Sequence, residues 1–198
     1  MKNSPYFKSI LLFAICHLLV FIGRFVLVGG LFANLVGCGY TVKSLLPSYI
    51  KSIYVERFSN KINITDSDIR ENRYKLYHPF LEIDITNKVV DKYLYDGNLR
   101  VVEKEDADIT LSGELITYMR EPVRYSDSGE VEEYRISLYV NLVLKDAKKN
   151  EVLWEEKNFV GDTTYFISGS LAKSEETALD DAIDDLARRI VERTTQEW

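Results

Sequence analysis

The hydrophobic pattern of the chain changes its period several times, and each period predicts a different element. Residues 50–55 are rich in β-branched and aromatic side chains, which indicates a first strand. Apolar residues in the range 80–94 recur four apart, so this segment is predicted to be an amphipathic helix. Asp96 and Gly97 are predicted to end the helix. The polar segment 60–77 has no period and is interpreted as a loop.

A period of two, typical of strands with one buried face, follows this helix. Residues 99–102 form a short apolar run that predicts an edge segment, and residues 109–117 alternate between apolar and polar positions. Residues 134–145 alternate most regularly and therefore predict one apolar face and one polar face. The polar face carries Arg135, Ser137, Tyr139, Asn141 and Lys145.

Two short polar segments are predicted to connect these strands as hairpins. Residues 126–129 have the composition of a turn, and residues 148–150 lead into a further short strand at 152–154. Because hairpins join neighbouring strands that run in opposite directions, this part of the sheet is predicted to be antiparallel.

A second helix is predicted at the C-terminal end of the chain. Ser174 is a good N-cap, acidic residues follow it, and basic residues are placed near the other end, as the helix dipole favours. Asp184 with Arg188, and Asp185 with Arg189, are predicted to pair on the exposed side. The predicted buried stripe is Leu179, Ala182, Ile183, Leu186, Ile190 and Val191.

These elements predict an α+β fold: a two-layer sandwich in which two helices pack on one face of a mixed, mostly antiparallel four-stranded sheet, in the order β-α-β-β-β-α. With 46% hydrophobic and 12% aromatic residues, the composition is that of a globular chain. Residues 50–198 are therefore expected to form one domain.

The N-terminal segment is interpreted as an export signal. Lys2 and Lys8 make a positive start, and a nearly continuous apolar stretch follows. The sequence Leu-Val-Gly-Cys that ends at Cys38 resembles the lipobox of bacterial lipoproteins, in which the Cys thiol takes the lipid. Residues 1–37 are thus predicted to be a cleaved lipoprotein signal peptide, Cys38 to be lipidated, and residues 38–49 to form a short tether.

Two alternatives to this interpretation stay open. The apolar region approaches the roughly 20 residues that span a bilayer, although His17 and Arg24 disfavour a permanent membrane helix. The signal is long, so translation could also start downstream, with Arg24 as its positive region. Gly39, where an Asp would retain some lipoproteins at the inner membrane, favours delivery to the outer membrane.

Charge and cysteine content restrict the possible partners and the possible disulfide bonds. The formal net charge is −6, and the charged residues before Cys38 are all basic, so the processed chain would be still more acidic. Phosphate backbones repel such a chain, which excludes nucleic acid as a partner. Cys16 and Cys38 are the two cysteines of the sequence, and neither lies in the predicted domain, so no internal disulfide is expected there.

Catalytic motifs are sparse, and the chain is predicted not to be an enzyme and to hold no metal or cofactor. His78 is the one histidine after Cys38, and its position before Pro79 is typical of a loop. Residues 168–170 lack the nucleophile elbow, and no glycine-rich phosphate loop is present. Adjacent acidic pairs point to opposite faces of a strand or lie on the solvent side of a helix.

Several cations at predicted strand ends and loops are candidates for contact with anionic lipid phosphates. The alternative for each is an ordinary solvated loop residue. The candidates are Lys173, Arg124, Arg120, Lys148 and Lys149.

Six segments together resemble the lipopolysaccharide-assembly lipoprotein family LptE, and the resemblance extends over essentially the whole chain after Cys38. They are Cys38-Gly39-Tyr40, residues 53–60, Ala107-Asp108 through Gly113, residues 129–135, residues 152–155 and residues 178–187. No single segment is specific, whereas their order and spacing are.

The resemblance implies a partner and a location. Members of the family sit as a plug inside the LptD β-barrel of the outer membrane, help it to assemble and support lipopolysaccharide transport to the outer leaflet. It also implies that Lys173 occupies a basic position used toward lipopolysaccharide. At the predicted turn after residue 125, Asp127 stands where relatives can carry a cation, so this sequence departs from the family there, and Arg124 is a possible substitute.

Two other functions compete with this one. The first is an outer-membrane lipoprotein that regulates a periplasmic peptidoglycan synthase. It would need a long disordered tether, whereas about ten residues separate Cys38 from the first predicted strand. The second is an enzyme, which the sparse histidine content disfavours.

Overall fold

A mixed six-stranded sheet, covered by two helices, forms the body of the protein in the computed structural model, which describes residues 46–62 and 76–196. The predicted signal peptide, Cys38 and most of the predicted tether lie outside the described residues. The strands are β1 (Ser52–Val55), β2 (Ser59–Asn60), β3 (Arg100–Val101), β4 (Ile109–Tyr125), β5 (Val131–Asp146) and β6 (Val152–Phe166). The helices are α1 (Leu81–Asp96), α2 (Glu175–Gln196) and a 3₁₀ turn, Lys104–Asp106.

The sheet has the order β3-β1-β4-β5-β6, and β2 also pairs with β4. β1 is parallel to β3 and β4, and β2 is parallel to β4, because the chain passes through α1 before it returns to the sheet. The strands β4, β5 and β6 are antiparallel and joined by the two predicted hairpins. The mixed α+β sandwich is therefore confirmed.

The predicted number of four strands is wrong, because the described part of the chain already forms six. The predicted edge segment at 99–102 is present as β3, which has two residues and pairs with β1. The other short strand, β2, includes Asn60, the first residue of the predicted loop 60–77, so the prediction is wrong at this residue. Strands of two residues carry no measurable periodicity, so the pattern of the sequence could not separate them from loop.

The first helix agrees closely with its prediction. It ends at Asp96 and is capped by Gly97, whose φ of 72° is the left-handed conformation that glycine adopts at low cost, and whose N–H donates to the Tyr93 carbonyl. Leu81, Ile85, Val89 and Tyr93 form its buried face.

The second helix also has its predicted cap and stripe, but one of its two predicted ion pairs is wrong. Ser174 Oγ accepts the Thr177 N–H at 3.1 Å, and Asp185 pairs with Arg189 at 2.7 Å. Asp184 instead pairs with Lys92 of α1, 2.9 Å away. A pattern within one helix could not reveal this contact, since it depends on how the two helices pack.

The hydrophobic core lies between the helices and one face of the sheet, and two glycines set the closest approaches. An ideal Cβ at Gly161 would lie 2.5 Å from Leu186 Cα, so α2 packs directly on β6 there. A Cβ at Gly113 would lie 2.1 Å from the ring of Phe58. Both positions require the absence of a side chain.

β-Bulges extend and shift the predicted strands. A register shift between Leu115 and Thr117 puts Tyr118, which is buried, opposite Leu138. Strict alternation over residues 109–117 predicts Thr117 on the same side as Leu115, and the register shift makes this prediction wrong. β6 extends twelve residues beyond its predicted end at Trp154, through a polar run in which Asn158 has a φ of 53°.

No helix among the described residues is both long enough and apolar enough to cross a bilayer.

Candidate functional site

The candidate cations lie at two opposite ends of the sheet. We call the end with the β4–β5 connection, residues 126–130, together with the loop 167–174, the hairpin end. The end with the β5–β6 connection, residues 147–151, is the turn end. Arg120, Arg124 and Lys173 lie toward the hairpin end, where Glu133 pairs with Phe166, and Lys148 and Lys149 lie at the turn end. The five do not form a single site.

Arg120, at the hairpin end, already has partners within the protein. Its guanidinium pairs with Glu175 at the start of α2 and lies 4.8 Å from the ring centroid of Tyr134. The hydroxyl of the buried Tyr118 also donates to Glu175, at 3.2 Å. Burial, and then the charge of Glu175, raise the pKa of Tyr118. Arg120 therefore connects β4 to the first turn of α2.

Arg124 and Lys173 are more accessible. Arg124 Nε is 3.4 Å from a Glu133 oxygen and its side chain is 57% exposed. Lys173 Nζ is 2.7 Å from Asp181 and its side chain is 50% exposed. Exposed pairs of this kind contribute little stability, so both cations can exchange their carboxylate for another anion at low cost.

Exposed apolar side chains lie close in sequence to these two cations. Leu171, 72% exposed, lies in the same loop as Lys173. The other exposed apolar residues at the hairpin end are Val123, Tyr125 and Ile167. The hairpin end thus combines apolar surface with cations, the pair of features that an anionic amphiphile requires.

The turn end has a different organisation, centred on Asp108. Its carboxylate accepts the N–H groups of Lys51 and Ser52 at 3.0 and 3.2 Å, and Lys148 Nζ at 2.8 Å. The hydrogen bond from Lys148, helped by those from Lys51 and Ser52, lowers the pKa of Asp108 to about 2. Lys148 is thus part of a junction between β1, β4 and the turn, and Lys149 lies 5.9 Å from the ring centroid of Tyr49.

The face of the sheet that the helices leave uncovered is polar in β5, as predicted; we call it the open face. Arg135 is exposed, and Tyr139 and Asn141 are partly exposed. Ser137 on the same face is only 6% exposed. The apolar residues that alternate with them, from Ile136 to Leu144, are buried.

The carboxylates that pair with these cations were not predicted from the sequence. Glu175 and Asp108 define the roles of Arg120 and Lys148, yet each is separated from its partner by 40 residues or more. A local pattern carries no signal for such pairs. His78, in the segment before α1, has Nδ1 3.1 Å from the Pro79 carbonyl, and no group of three or more potential metal ligands occurs within residues 46–62 and 76–196.

The family model described as LptE: Lipopolysaccharide-assembly matches residues 50–194. The chain therefore belongs to the LptE family, as the resemblance implied. This is a family of non-enzymatic outer-membrane lipoproteins that act in lipopolysaccharide assembly.

Solved structures of low sequence identity resemble the chain. A hypothetical protein of Chlamydia trachomatis is 11% identical, with a TM-score of 0.49, over 73% of this chain and 95% of that one. The rare lipoprotein B of Shewanella oneidensis is 15% identical, with a TM-score of 0.36, over 71% and 89%. An uncharacterized lipoprotein B of Nitrosomonas europaea is 16% identical, with a TM-score of 0.38, over 75% and 86%. No curated protein sequence matches this chain.

Proposed function

We propose that this protein is a lipid-anchored outer-membrane lipoprotein that sits as a plug within an LptD-type β-barrel and supports its assembly and lipopolysaccharide transport. The open face of the sheet is the observation that carries the proposal. The lumen of an outer-membrane barrel is polar, and Arg135, Tyr139 and the amide NH₂ of Asn141 can meet such a surface, while Asn141 Oδ1 accepts the Asn158 N–H at 3.1 Å. The helices pack on the opposite face, so the body keeps its core when the open face docks.

Lipopolysaccharide contact is proposed for the hairpin end. Lys173 and Arg124 are exposed enough to meet its phosphates, and the apolar side chains around them suit its acyl chains. Arg120 is the weaker candidate of this group because it already pairs with Glu175. Lys148 and Lys149 lie at the turn end and would need a second contact.

The anchor is proposed from the sequence alone. Cys38, after removal of residues 1–37, would carry the acyl chains, and residues 38–49 would tether the domain that begins at residue 50. Mass spectrometry of the mature protein tests this. The expected product starts at Cys38 and carries the mass of the lipid, whereas an unmodified Cys38 contradicts the proposal.

The plug role is tested by purification of the tagged full-length protein from membranes and by its depletion. We expect a large outer-membrane barrel to co-purify in a one-to-one complex, and depletion to reduce both the folded barrel and surface lipopolysaccharide. Normal levels of both after depletion would contradict the proposal and would favour the peptidoglycan-synthase regulator instead.

The lipopolysaccharide contact has its own test, which compares two charge reversals of equal size. Lys173→Glu with Arg124→Glu changes the hairpin end, and Lys149→Glu with Lys104→Glu changes exposed cations away from it without touching the junction at Asp108. Binding of purified lipopolysaccharide should fall about tenfold or more in the first variant, since two charge-assisted contacts are lost. An equal loss in both variants would mean that net charge, and not the hairpin end, determines binding.

A further inference from the structure

A cavity of about 540 Å³ lies between α2 and the first half of β6. Residues 156–160 of β6 form one wall, and Arg188, Arg189, Glu192 and Arg193 of α2 form the other. Just beyond it, Gly161 brings the helix against the strand. The register shift opposite Asn141 and the left-handed backbone of Asn158 interrupt the ladder beside the cavity.

The same strand is an edge of the sheet, because β5 is the only strand within residues 46–62 and 76–196 that pairs with β6. In its second half, two outward main-chain groups have partners within the protein. The Phe166 carbonyl accepts the Lys173 N–H at 2.9 Å, and the Asp162 N–H donates to the Asp185 carboxylate at 3.1 Å. Backbone groups of an antiparallel strand alternate in direction, so Val160 and Thr164 also direct theirs away from β5. Val160 is the one of these four residues that lines the cavity.

Two arginines in the cavity wall are held in fixed positions. Asp185 accepts from Arg188 at 2.5 Å and from Arg189 at 2.7 Å, and Glu192 and Asp162 provide a further carboxylate to each. A guanidinium has five N–H donors, so each keeps donors beyond these contacts. Both side chains stay partly exposed. Positioned donors of this kind suit a carboxylate, which they can bind with two parallel hydrogen bonds.

We propose that an extended segment of the barrel partner pairs with the β6 edge at Val160 and places a carboxylate on Arg188 and Arg189. This inference rests on the proposed function. Addition of a strand to a free edge supplies main-chain hydrogen bonds, and the adjoining pocket supplies side-chain specificity. The outward main-chain groups of Val160 can pair with those of another extended chain, which favours a peptide over a lipid headgroup as the occupant.

Photo-cross-linking in cells tests the inference on the full-length protein with its barrel. A photo-reactive amino acid in place of Lys157, which is in the cavity wall, should give a discrete cross-link to a barrel peptide that contains Asp or Glu. The control position is Lys104, near the opposite edge of the sheet, and should not capture this peptide. A barrel that co-purifies without a cross-link at position 157, or an adduct with lipid alone, would overturn the inference and leave the plug role intact.

Three variants make the test specific. Arg188→Gln with Arg189→Gln removes the carboxylate contacts, and Val160→Pro removes the outward edge N–H while it spares the ladder to β5. Each should lower the cross-link at least about tenfold. Thr164→Pro is the matched control, because Thr164 also directs its N–H outward but does not line the cavity, and it should not.

Thermal melting shows which variants are folded, and where Val160→Pro is not, the arginine variant decides. An undiminished cross-link in the folded arginine variant would overturn the inference. Failure of the barrel to co-purify with the unaltered protein would overturn the plug role as well, so the two failures are distinguishable.

Discussion

The two faces of the central sheet carry opposite kinds of side chain on the same strands. In β5, Ile136, Leu138 and Val140 have no exposed surface, and the residues that alternate with them face outward as the polar open face. The covered face is sealed by α1 and α2, which also contact each other through the buried hydrogen bond from Tyr93 to Thr194.

This difference separates what stabilises the protein from what it can present to a partner. Burial of apolar surface on the covered face supplies most of the folding free energy, because net stabilisation follows the apolar area removed from water. The open face contributes less to stability, so its residues can serve recognition. Changes on the covered face should lower stability, and changes on the open face should lower binding alone.

The largest effect is expected at Gly161. Gly161→Val places a side chain where the backbone of Leu186 lies, so α2 must move away from β6. Overpacking of this kind costs about 3 kcal/mol in the free energy of unfolding, measurable by urea denaturation. Thr164→Val, three residues further on the same strand but exposed, is the control and should be nearly neutral. Equal stability of the two variants would mean that the helix does not depend on this contact.

Asp108 is a polar residue whose hydrogen bonds are expected to contribute measurably to the free energy of unfolding. Asp108→Asn removes the charge that accepts the Lys51 and Ser52 N–H groups and should cost about 1.5 kcal/mol at pH 7, where the carboxylate is ionised. Because its folded pKa is about 2, below the ordinary value near 3.9, this stabilisation is complete above about pH 5 and is lost as the pH falls toward 2.

Denaturation at several pH values checks this prediction. The difference between the unaltered protein and Asp108→Asn should shrink from pH 5 to pH 2. Asp127→Asn, in the exposed turn at the hairpin end, is the matched control and should change stability by less than about 0.5 kcal/mol at any pH. A pH-independent difference at Asp108 would show that its charge is not what matters.

A smaller effect is expected where the helices meet. The Tyr93 hydroxyl donates to Thr194 Oγ1 at 2.7 Å, and burial raises the pKa of this tyrosine, so it stays neutral. Tyr93→Phe should cost about 1 kcal/mol, since one buried hydrogen bond is lost while the ring remains. Tyr95→Phe is the control on the same helix, because Tyr95 is 91% exposed. No difference between these variants in thermal melting would contradict the prediction.

The sequence allowed prediction of the parts of this fold that are periodic. α1, α2 and the alternation in β5 repeat often enough to identify, and the Ser174 cap and the Gly97 end follow from local chemistry. β2 and β3 are too short to show a period. β6 was predicted to end at Trp154, twelve residues too early. Polar residues such as those from Glu155 to Asn158 are typical of a loop, and here they lie in an edge strand at a bulge.

The candidate site was predictable in composition but not in arrangement. All five candidate cations were identified by residue type, yet their separation into two ends depends on strand register. The pairing of Arg120 with Glu175, and of Lys148 with Asp108, depends on contacts between residues distant in sequence. The cavity beside β6 was not anticipated, because it arises from the approach of α2 at Gly161 and from the neighbouring bulge.

The smallest effect on stability is expected for a change on the open face. The same change should clearly lower assembly with the barrel. Arg135 is exposed on the open face, so Arg135→Glu should change the free energy of unfolding by less than about 0.5 kcal/mol. If the open face lies against the barrel wall, the same change puts the wrong charge into the interface and should lower co-purification of the barrel severalfold. Lys104→Glu, an exposed reversal of the same size outside the open face, should leave it unchanged.

This pair of variants therefore tests whether the open face, and not the net charge, determines binding of the barrel. Unfolding measurements on both should coincide with the unaltered protein, and only Arg135→Glu should lose barrel. Loss in both would indicate that net charge controls docking, because each variant changes the charge by the same amount. Retention in both would place the interface on another surface, and the cavity between α2 and β6 would then be the surface to test, since it also lies outside the covered core.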